Sequence, residues 1–98
     1  MKTLHAYKTI NLKDGGTIAK GESLTFVRMG EFQSTGVFLH NGVERKMRFT
    51  SVLKAPSIKT MEKWSFDGVA KSVLGAKVEP DGVDSLGSPS WLLALGMI

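Results

Sequence analysis

One dipeptide near the middle of the chain restricts its fold more than any other feature. Asn41-Gly42 separates two runs that are typical of β-strands, TGVFLH and VERKMRF. A two-residue type I′ hairpin loop needs positive φ at both of its positions, and Asn and Gly tolerate positive φ best. The sequence therefore predicts a β-hairpin. Because the loop has only two residues, the pairing of its strands follows directly.

With Asn41 and Gly42 as the loop, each opposing pair of the hairpin is specified. The pairs are His40 with Val43, Leu39 with Glu44, Phe38 with Arg45, Val37 with Lys46, and Gly36 with Met47. Alternation places large apolar groups on one face, which we expect to be the core face: Phe38, Val43, Met47 and Phe49. The other is expected to be a half-apolar, charged outer face: Val37, Leu39, Glu44, Lys46 and Arg48.

The rest of the chain carries further turn and strand signals. TLHAYKTINL and SLTFVRM are typical of strands, and eleven glycines fall singly or in pairs between apolar runs, as tight turns require. Asp67-Gly68 and Leu74-Gly75 predict a second β-meander, in which Trp64 and Phe66 would share a face with Val69. We therefore predict one mostly β domain over residues 1–98, a small barrel or sandwich of five to seven short antiparallel strands with a short C-terminal helix.

Segment 57–65 fits two structures. Ile58, Met61 and Trp64 are three residues apart, which suits one or two helical turns with Ser57 as the N-cap. A crossing loop fits the segment too, because Pro56 precedes it and breaks the strand pattern.

The chain ends on apolar residues and carries no side-chain charge after Asp84. We predict a loop over residues 79–88 and a helical turn over 89–95, with Ser88 as N-cap and Gly96 closing it. So short a helix without a polar face is not stable alone in water. It must pack either into this domain as a plug or into a partner's groove. In the second case the anchors would be Trp91, Leu92, Leu93 and Leu95.

The net charge of +4 is unevenly distributed along the chain. Residues 1–63 hold eleven Lys and Arg against five Asp and Glu, whereas residues 64–98 hold two against four. The hairpin cations Arg45, Lys46 and Arg48 would give charge complementarity to a protein partner. The alternative is a nucleic-acid-binding β-barrel that uses these three together with Arg28. That alternative also needs stacking aromatics on the basic face, and Phe38 and Phe49 are expected in the core instead.

Several classes of protein are disfavoured by what the sequence lacks. There is no cysteine and no glycine-rich nucleotide motif, and His5 and His40 have no carboxylates at ligand spacing. Asp81 and Asp84 are too few for a calcium loop. No apolar run approaches the roughly 20 residues of a membrane span, and no secretory signal is visible. We expect a cytoplasmic protein without catalytic residues, metal or cofactor.

The stretch KGESLTFVRM…STGVFLHNGVERKMRFTSVLKAP resembles the strand, loop and hairpin layout of SH3-like barrels, over less than half of the chain. The ending GSPSWLLALGMI is similar to the ends of small phage and prophage proteins. The second resemblance implies an accessory factor in the host cytoplasm that acts on host machinery by steric binding. The expected partner is thus a host protein or protein complex, with nucleic acid as the alternative and self-association left open.

Overall fold

The computed structural model describes residues 2–98. Eight strands and three short helices occur there: β1 (Lys2–His5), β2 (Ile10–Asn11), β3 (Thr17–Ile18), β4 (Ser23–Met29), β5 (Thr35–His40), β6 (Val43–Arg48), α1 (Phe49–Val52), α2 (Ile58–Asp67), β7 (Ala70–Lys71), β8 (Lys77–Val78) and α3 (Trp91–Ala94). The predicted mostly β fold with a short C-terminal helix is confirmed. The strand number exceeds the expected five to seven because four of the strands have only two residues.

The main sheet has four antiparallel strands in the order β1-β4-β5-β6, and β2–β3 and β7–β8 form two separate hairpins. Strands β1 and β6 are the edges of the main sheet and do not pair with each other, so the barrel is not closed. One side of β6 therefore pairs with no other strand, and the candidate functional site lies along that side.

The hairpin register follows the prediction at every pair from His40–Val43 to Gly36–Met47. Asn41 has φ 51° and Gly42 has φ 79°, as the type I′ loop requires. The expected core face was wrong at Val43, which is 49% exposed because it adjoins the loop, beyond the end of the core. Phe49 is buried as expected but belongs to α1, not to the strand.

The outer face also differs from the expectation at Val37, which is only 7% exposed. Arg28 lies opposite Val37 on β4, and Lys46 lies opposite it on β6. Long cationic side chains can cover apolar neighbours with their aliphatic stems while the charged ends stay in water. Val37 is therefore shielded at the centre of a face whose ends are charged.

Three aromatic rings form the centre of the core. Phe26, Phe38 and Phe49 have ring centroids 5.9–6.1 Å apart, and Phe38 packs edge-on against both of the others. Such edge-to-face pairs add stabilisation beyond their buried area. Gly36 leaves the room they need, because a Cβ at this position would lie 3.0 Å from the ring of Phe49 and 3.2 Å from that of Phe26.

Segment 57–65 is helical. Ser57 caps α2 by accepting a hydrogen bond from the N–H of Thr60 (3.2 Å), and Met61 and Trp64 pack on the core. Gly68 ends the helix in the left-handed conformation (φ 74°). The hairpin predicted at Asp67-Gly68 was therefore wrong, because positive φ at glycine suits a helix C-terminus as well as a hairpin.

The second predicted turn has a different outcome. Gly75 (φ 93°) lies in the turn between β7 and β8, as predicted. Because Trp64 and Phe66 belong to α2, they do not share a strand face with Val69.

The C-terminal helix is one turn long and begins later than predicted. Its N-cap is Ser90, whose Oγ accepts from the N–H of Leu93 (3.1 Å), rather than Ser88. Pro89 pairs with Val83 in an isolated β-bridge and is not helical. Gly96 closes the turn with φ 70°, as predicted.

The side chains of this ending differ in burial. Trp91 and Leu92 are 5% and 1% exposed and belong to the main core, whereas Leu93 and Leu95 are half-buried. The apolar ending therefore gains much of its order from this domain itself.

We predict that Gly36→Ala destabilises the protein by about 1–3 kcal/mol, because the added methyl group forces the aromatic rings apart. Urea unfolding at pH 7 measures the change. Gly16→Ala is the control, since a Cβ there meets the movable carboxylate of Asp14 at 3.3 Å and lies in an exposed turn. Equal losses in the two variants would contradict the role given to Gly36.

We predict that Leu92→Ala lowers the free energy of unfolding by about 2–5 kcal/mol, as expected for a cavity in a core. Leu86→Ala is the same chemical change at a position that is 43% exposed and should lower it by no more than about 1 kcal/mol. Chemical denaturation of both variants tests this. A Leu92 variant as stable as the wild type would show that the ending does not belong to the core.

Candidate functional site

A groove lies between the free side of β6 and the β2–β3 hairpin. Its volume is about 790 Å³, and its walls are residues 10–14 and 44–48, with Thr35 and Ser51. We call it the edge groove. It combines an apolar floor from side chains such as Ile10 and Met47 with a charged rim.

The register of the hairpin determines which backbone groups β6 offers to this groove. In a two-residue hairpin the pair next to the loop exchanges hydrogen bonds, and hydrogen-bonded pairs then alternate along the strands. Val43, Arg45 and Met47 therefore direct their peptide groups at β5. Those of Glu44 and Lys46 point to the opposite side, where nothing else within residues 2–98 pairs with them.

Three of the four cations predicted to bind nucleic acid are paired with carboxylates. Arg28 forms two hydrogen bonds to Glu44 (2.8 and 3.1 Å). Arg45 Nη1 lies 3.2 Å from Asp14 Oδ2, and Lys46 Nζ lies 3.7 Å from Glu31 Oε1. Within the described residues, no such partner is found for Arg48. The cations thus stand among acidic groups and do not form an unbroken basic patch.

The ion pairs have the expected effect on proton affinity. Hydrogen bonds from Arg28, followed by its charge, lower the pKa of Glu44, and the same contact raises the pKa of Arg28. The N–H of Gly16 and then Arg45 lower the pKa of Asp14. The Arg28–Glu44 pair is exposed, so it contributes little to the stability of the fold.

Arg45 occupies a special position, because its pair with Asp14 spans the edge groove from β6 to the β2–β3 turn. Its side chain is three-quarters buried. Its Nε atom is buried without a hydrogen-bond partner among residues 2–98. A buried guanidinium nitrogen without an acceptor is unusual in a folded protein, so Arg45 retains unused donor capacity at the groove.

A second, smaller cavity of about 290 Å³ continues the edge groove. We call it the end notch. Phe32, Ala94 and Leu95 contribute to its walls, and Thr35 and Arg48 line both cavities. The structure thus brings Arg45, Lys46 and Arg48 onto one continuous surface with Leu95. Trp91 and Leu92 are buried in the core, and neither they nor Leu93 line the two cavities.

Several residues of this surface are not among the predicted site residues. Three of them are Lys13 and Asp14, which precede β3, and Phe32, which is largely exposed. These residues come from other parts of the chain than β6, and no local sequence motif predicts that they lie close to it. Ile58 and Phe66 on α2 are also strongly exposed apolar residues and were likewise missed.

The loop before the C-terminal helix is held by a buried polar cluster around Asp84. Its Oδ2 accepts from the hydroxyls of Ser72 (2.6 Å) and Ser88, and its Oδ1 accepts from the N–H groups of Leu86 (2.9 Å) and Ser88 (3.0 Å). Both serines are fully buried. Ser88 therefore serves Asp84 and not the helix, which explains why the cap lies at Ser90. These contacts fix the loop against the body of the protein.

The cluster also determines the proton affinity of Asp84. Partial burial acts to raise its pKa, but the hydrogen bonds from Ser72, Ser88 and the two backbone N–H groups outweigh burial and lower the pKa. The ionised form is thus the one that the fold stabilises.

Comparison of the chain with models of protein families, with curated proteins and with solved structures finds no match. Within residues 2–98, no three His, Cys, Asp or Glu side chains are grouped as metal ligands. Among the helices of that range, none has both the length and the apolar character needed to cross a bilayer.

We predict that Asp84→Asn lowers the free energy of unfolding at pH 7 by about 1–3 kcal/mol, because buried serine hydroxyls lose a charged acceptor. A lowered folded-state pKa gives stability above the ordinary carboxyl pKa that is lost as the pH falls through the folded value. The difference from wild type should therefore shrink below about pH 4.

Denaturant unfolding between pH 7 and pH 2 measures this difference. Asp81→Asn changes the same group at an exposed position and should stay within about 0.5 kcal/mol of the wild type. An Asp84→Asn deficit that is the same at every pH would refute the electrostatic explanation.

Proposed function

We propose that the protein is a non-enzymatic binding protein that modulates a partner protein complex by occupying part of its surface. The edge groove and the end notch are the contact region. The observation that carries the proposal is that a free strand edge, a cationic rim and a partly apolar notch adjoin one another, because Thr35 and Arg48 line both cavities. By the resemblance of the C-terminal sequence, the gene belongs to a phage or mobile element and the partner to its host.

The charge of the edge groove favours an acidic partner. Four cationic side chains line it (Lys13, Arg45, Lys46 and Arg48), against the two carboxylates of Asp14 and Glu44. Complementary charge accelerates encounter and determines which partner is accepted more than it adds affinity. The cations thus select the partner, while contacts with the apolar groups of the groove and notch supply the affinity.

The sequence suggests four apolar anchors near the C-terminus, but in this proposal only one of them contacts the partner. Trp91 and Leu92 hold the ending in the core, since both are buried. Leu95, half-buried at the notch wall, is the tail residue that contacts the partner. Leu93 is half-buried and outside both cavities, so it supports the helix.

One observation favours a protein partner over nucleic acid. Phe38 and Phe49 are fully buried and cannot stack on bases, which leaves Phe32 as the largely exposed aromatic side chain of this surface. Cytoplasmic location is part of the same proposal, because the expected partner is there.

We predict that Lys46→Glu combined with Arg48→Glu weakens partner binding at least about tenfold, because like charges then face each other across the contact. Lys59→Glu combined with Lys63→Glu is the matched control, with the same charge change on exposed positions of α2. Proteins captured from bacterial lysate by each variant, with and without nuclease, are compared by quantitative mass spectrometry.

The control pair should retain the captured proteins, and nuclease should leave them unchanged. Equal capture by both charge-reversal pairs would exclude the edge groove as the contact region. Capture that disappears with nuclease, together with binding that weakens steeply with salt, would instead favour the nucleic-acid alternative.

A further inference from the structure

We propose that the partner contributes an extended, acidic segment that adds to β6 as a fifth strand of the main sheet. The inference rests on the proposed function and specifies how the partner is recognised. It is based on the free side of β6, the spacing of the peptide groups on that side and the charges around it.

The geometry of β6 suits strand addition. Its six residues end the sheet at a side where the backbone groups of Glu44 and Lys46 have no partner within residues 2–98. Alternate residues of a strand present both N–H and C=O to the same side, so an incoming strand finds two evenly spaced pairs of groups. Main-chain hydrogen bonds then give affinity, and pockets for alternate side chains give specificity.

The edge groove provides the space for that strand. A neighbouring strand lies about 4.8 Å away in the hydrogen-bonding direction, and the edge groove occupies this side of β6 up to the β2–β3 hairpin. The occupant is thus a single extended chain held between the edge of β6 and the wall formed by residues 10–14.

Charge on both faces of β6 makes the occupant acidic. Lys46 and Arg48 project on the outer face, where opposing residues of an added strand come within cross-strand contact. Arg45 projects on the opposite face, where its side chain is a quarter exposed and forms one hydrogen bond to Asp14. A carboxylate of the added strand can share the exposed part of the Arg45 guanidinium with Asp14.

Lys46 works against one arrangement of two copies of this chain. An antiparallel pair of β6 strands centred on Lys46 would place its ammonium group directly opposite its equivalent, which is unfavourable, while Glu44 and Arg48 would lie opposite each other on either side. Lysine on an exposed edge is a common protection against such self-association. Sedimentation therefore has to separate a second copy from an acidic strand of another protein.

Amide hydrogen exchange of the full chain, followed by NMR, tests the inference. The probe is a capped peptide of about six residues that alternates glutamate and valine, matching β6 in length. In the free protein, the amides of Glu44 and Lys46 should exchange fast and those of Arg45 and Met47 slowly. Saturating peptide should slow exchange at Glu44 and Lys46 at least tenfold and leave Arg45 and Met47 unchanged. A peptide with lysine in place of glutamate should have no effect.

A pair of variants separates the backbone contribution from the charge. Lys46→Thr and Lys46→Pro both remove the cation, but only proline removes the N–H that faces the groove. Proline is tolerated on edge strands when its nitrogen faces outwards. The threonine variant should bind the acidic peptide within a few-fold of the wild type, and the proline variant should lose at least another tenfold. If proline disrupts the fold, the exchange pattern of the wild type decides alone.

Three results would overturn the inference. One is peptide-induced protection that does not alternate along β6, or none at all. Another is protection of the same amides in the free protein that grows with its concentration, with a dimer in sedimentation, which would assign the edge to a second copy. The third is equal peptide binding by the proline and threonine variants. Capture from lysate that still depends on Lys46 and Arg48 would then preserve the proposed function while strand addition fails.

Discussion

The structure depends on positive φ at two successive residues, Asn41 and Gly42, because this loop conformation determines the register of the β5–β6 hairpin. The tight loop allows one register, and that register packs Phe38 against the rings of both Phe26 and Phe49. It also aligns Gly36 under those rings, where no side chain fits. By the same alternation, the peptide groups of Glu44 and Lys46 are directed away from the sheet. The conformation of this loop therefore determines both the packing of the three rings and the outward direction of the peptide groups on β6.

The apolar ending of the chain completes the other side of the core. Trp91 and Leu92 are buried in the same cluster as the three phenylalanines, although a helix of one turn has no stability of its own. Its position depends on polar contacts nearby: Ser90 caps it, and Asp84 fixes the preceding loop through Ser72 and Ser88. The ending is therefore held by apolar burial and by an ionised carboxylate together. This is why a charged residue stands immediately before an uncharged run.

Local signals predicted the parts of the fold that depend on a few neighbouring residues. The Asn41-Gly42 register, the cap at Ser57 and the closure at Gly96 need only backbone conformation and a nearby acceptor. Where one local signal is compatible with two structures, the sequence does not distinguish between them. Asp67-Gly68 suits a hairpin or a helix end, and Ser88 and Ser90 flank Pro89 as equivalent caps until Asp84 engages one of them. The edge groove was not predictable, because the approach of Asp14 to Arg45 joins residues far apart in the chain.

An open sheet edge is a hazard that soluble proteins normally remove by barrel closure or by a covering segment. Here the β2–β3 hairpin lies beside β6 without pairing to it, and the Arg45–Asp14 ion pair connects the two. Charged residues at alternate positions of β6, with Lys46 at the centre, leave the backbone groups accessible. If the edge only needed protection, direct pairing with the hairpin would satisfy those groups more completely. The combination of free peptide groups, a bordering wall and complementary charge is instead what reversible binding of an extended segment requires.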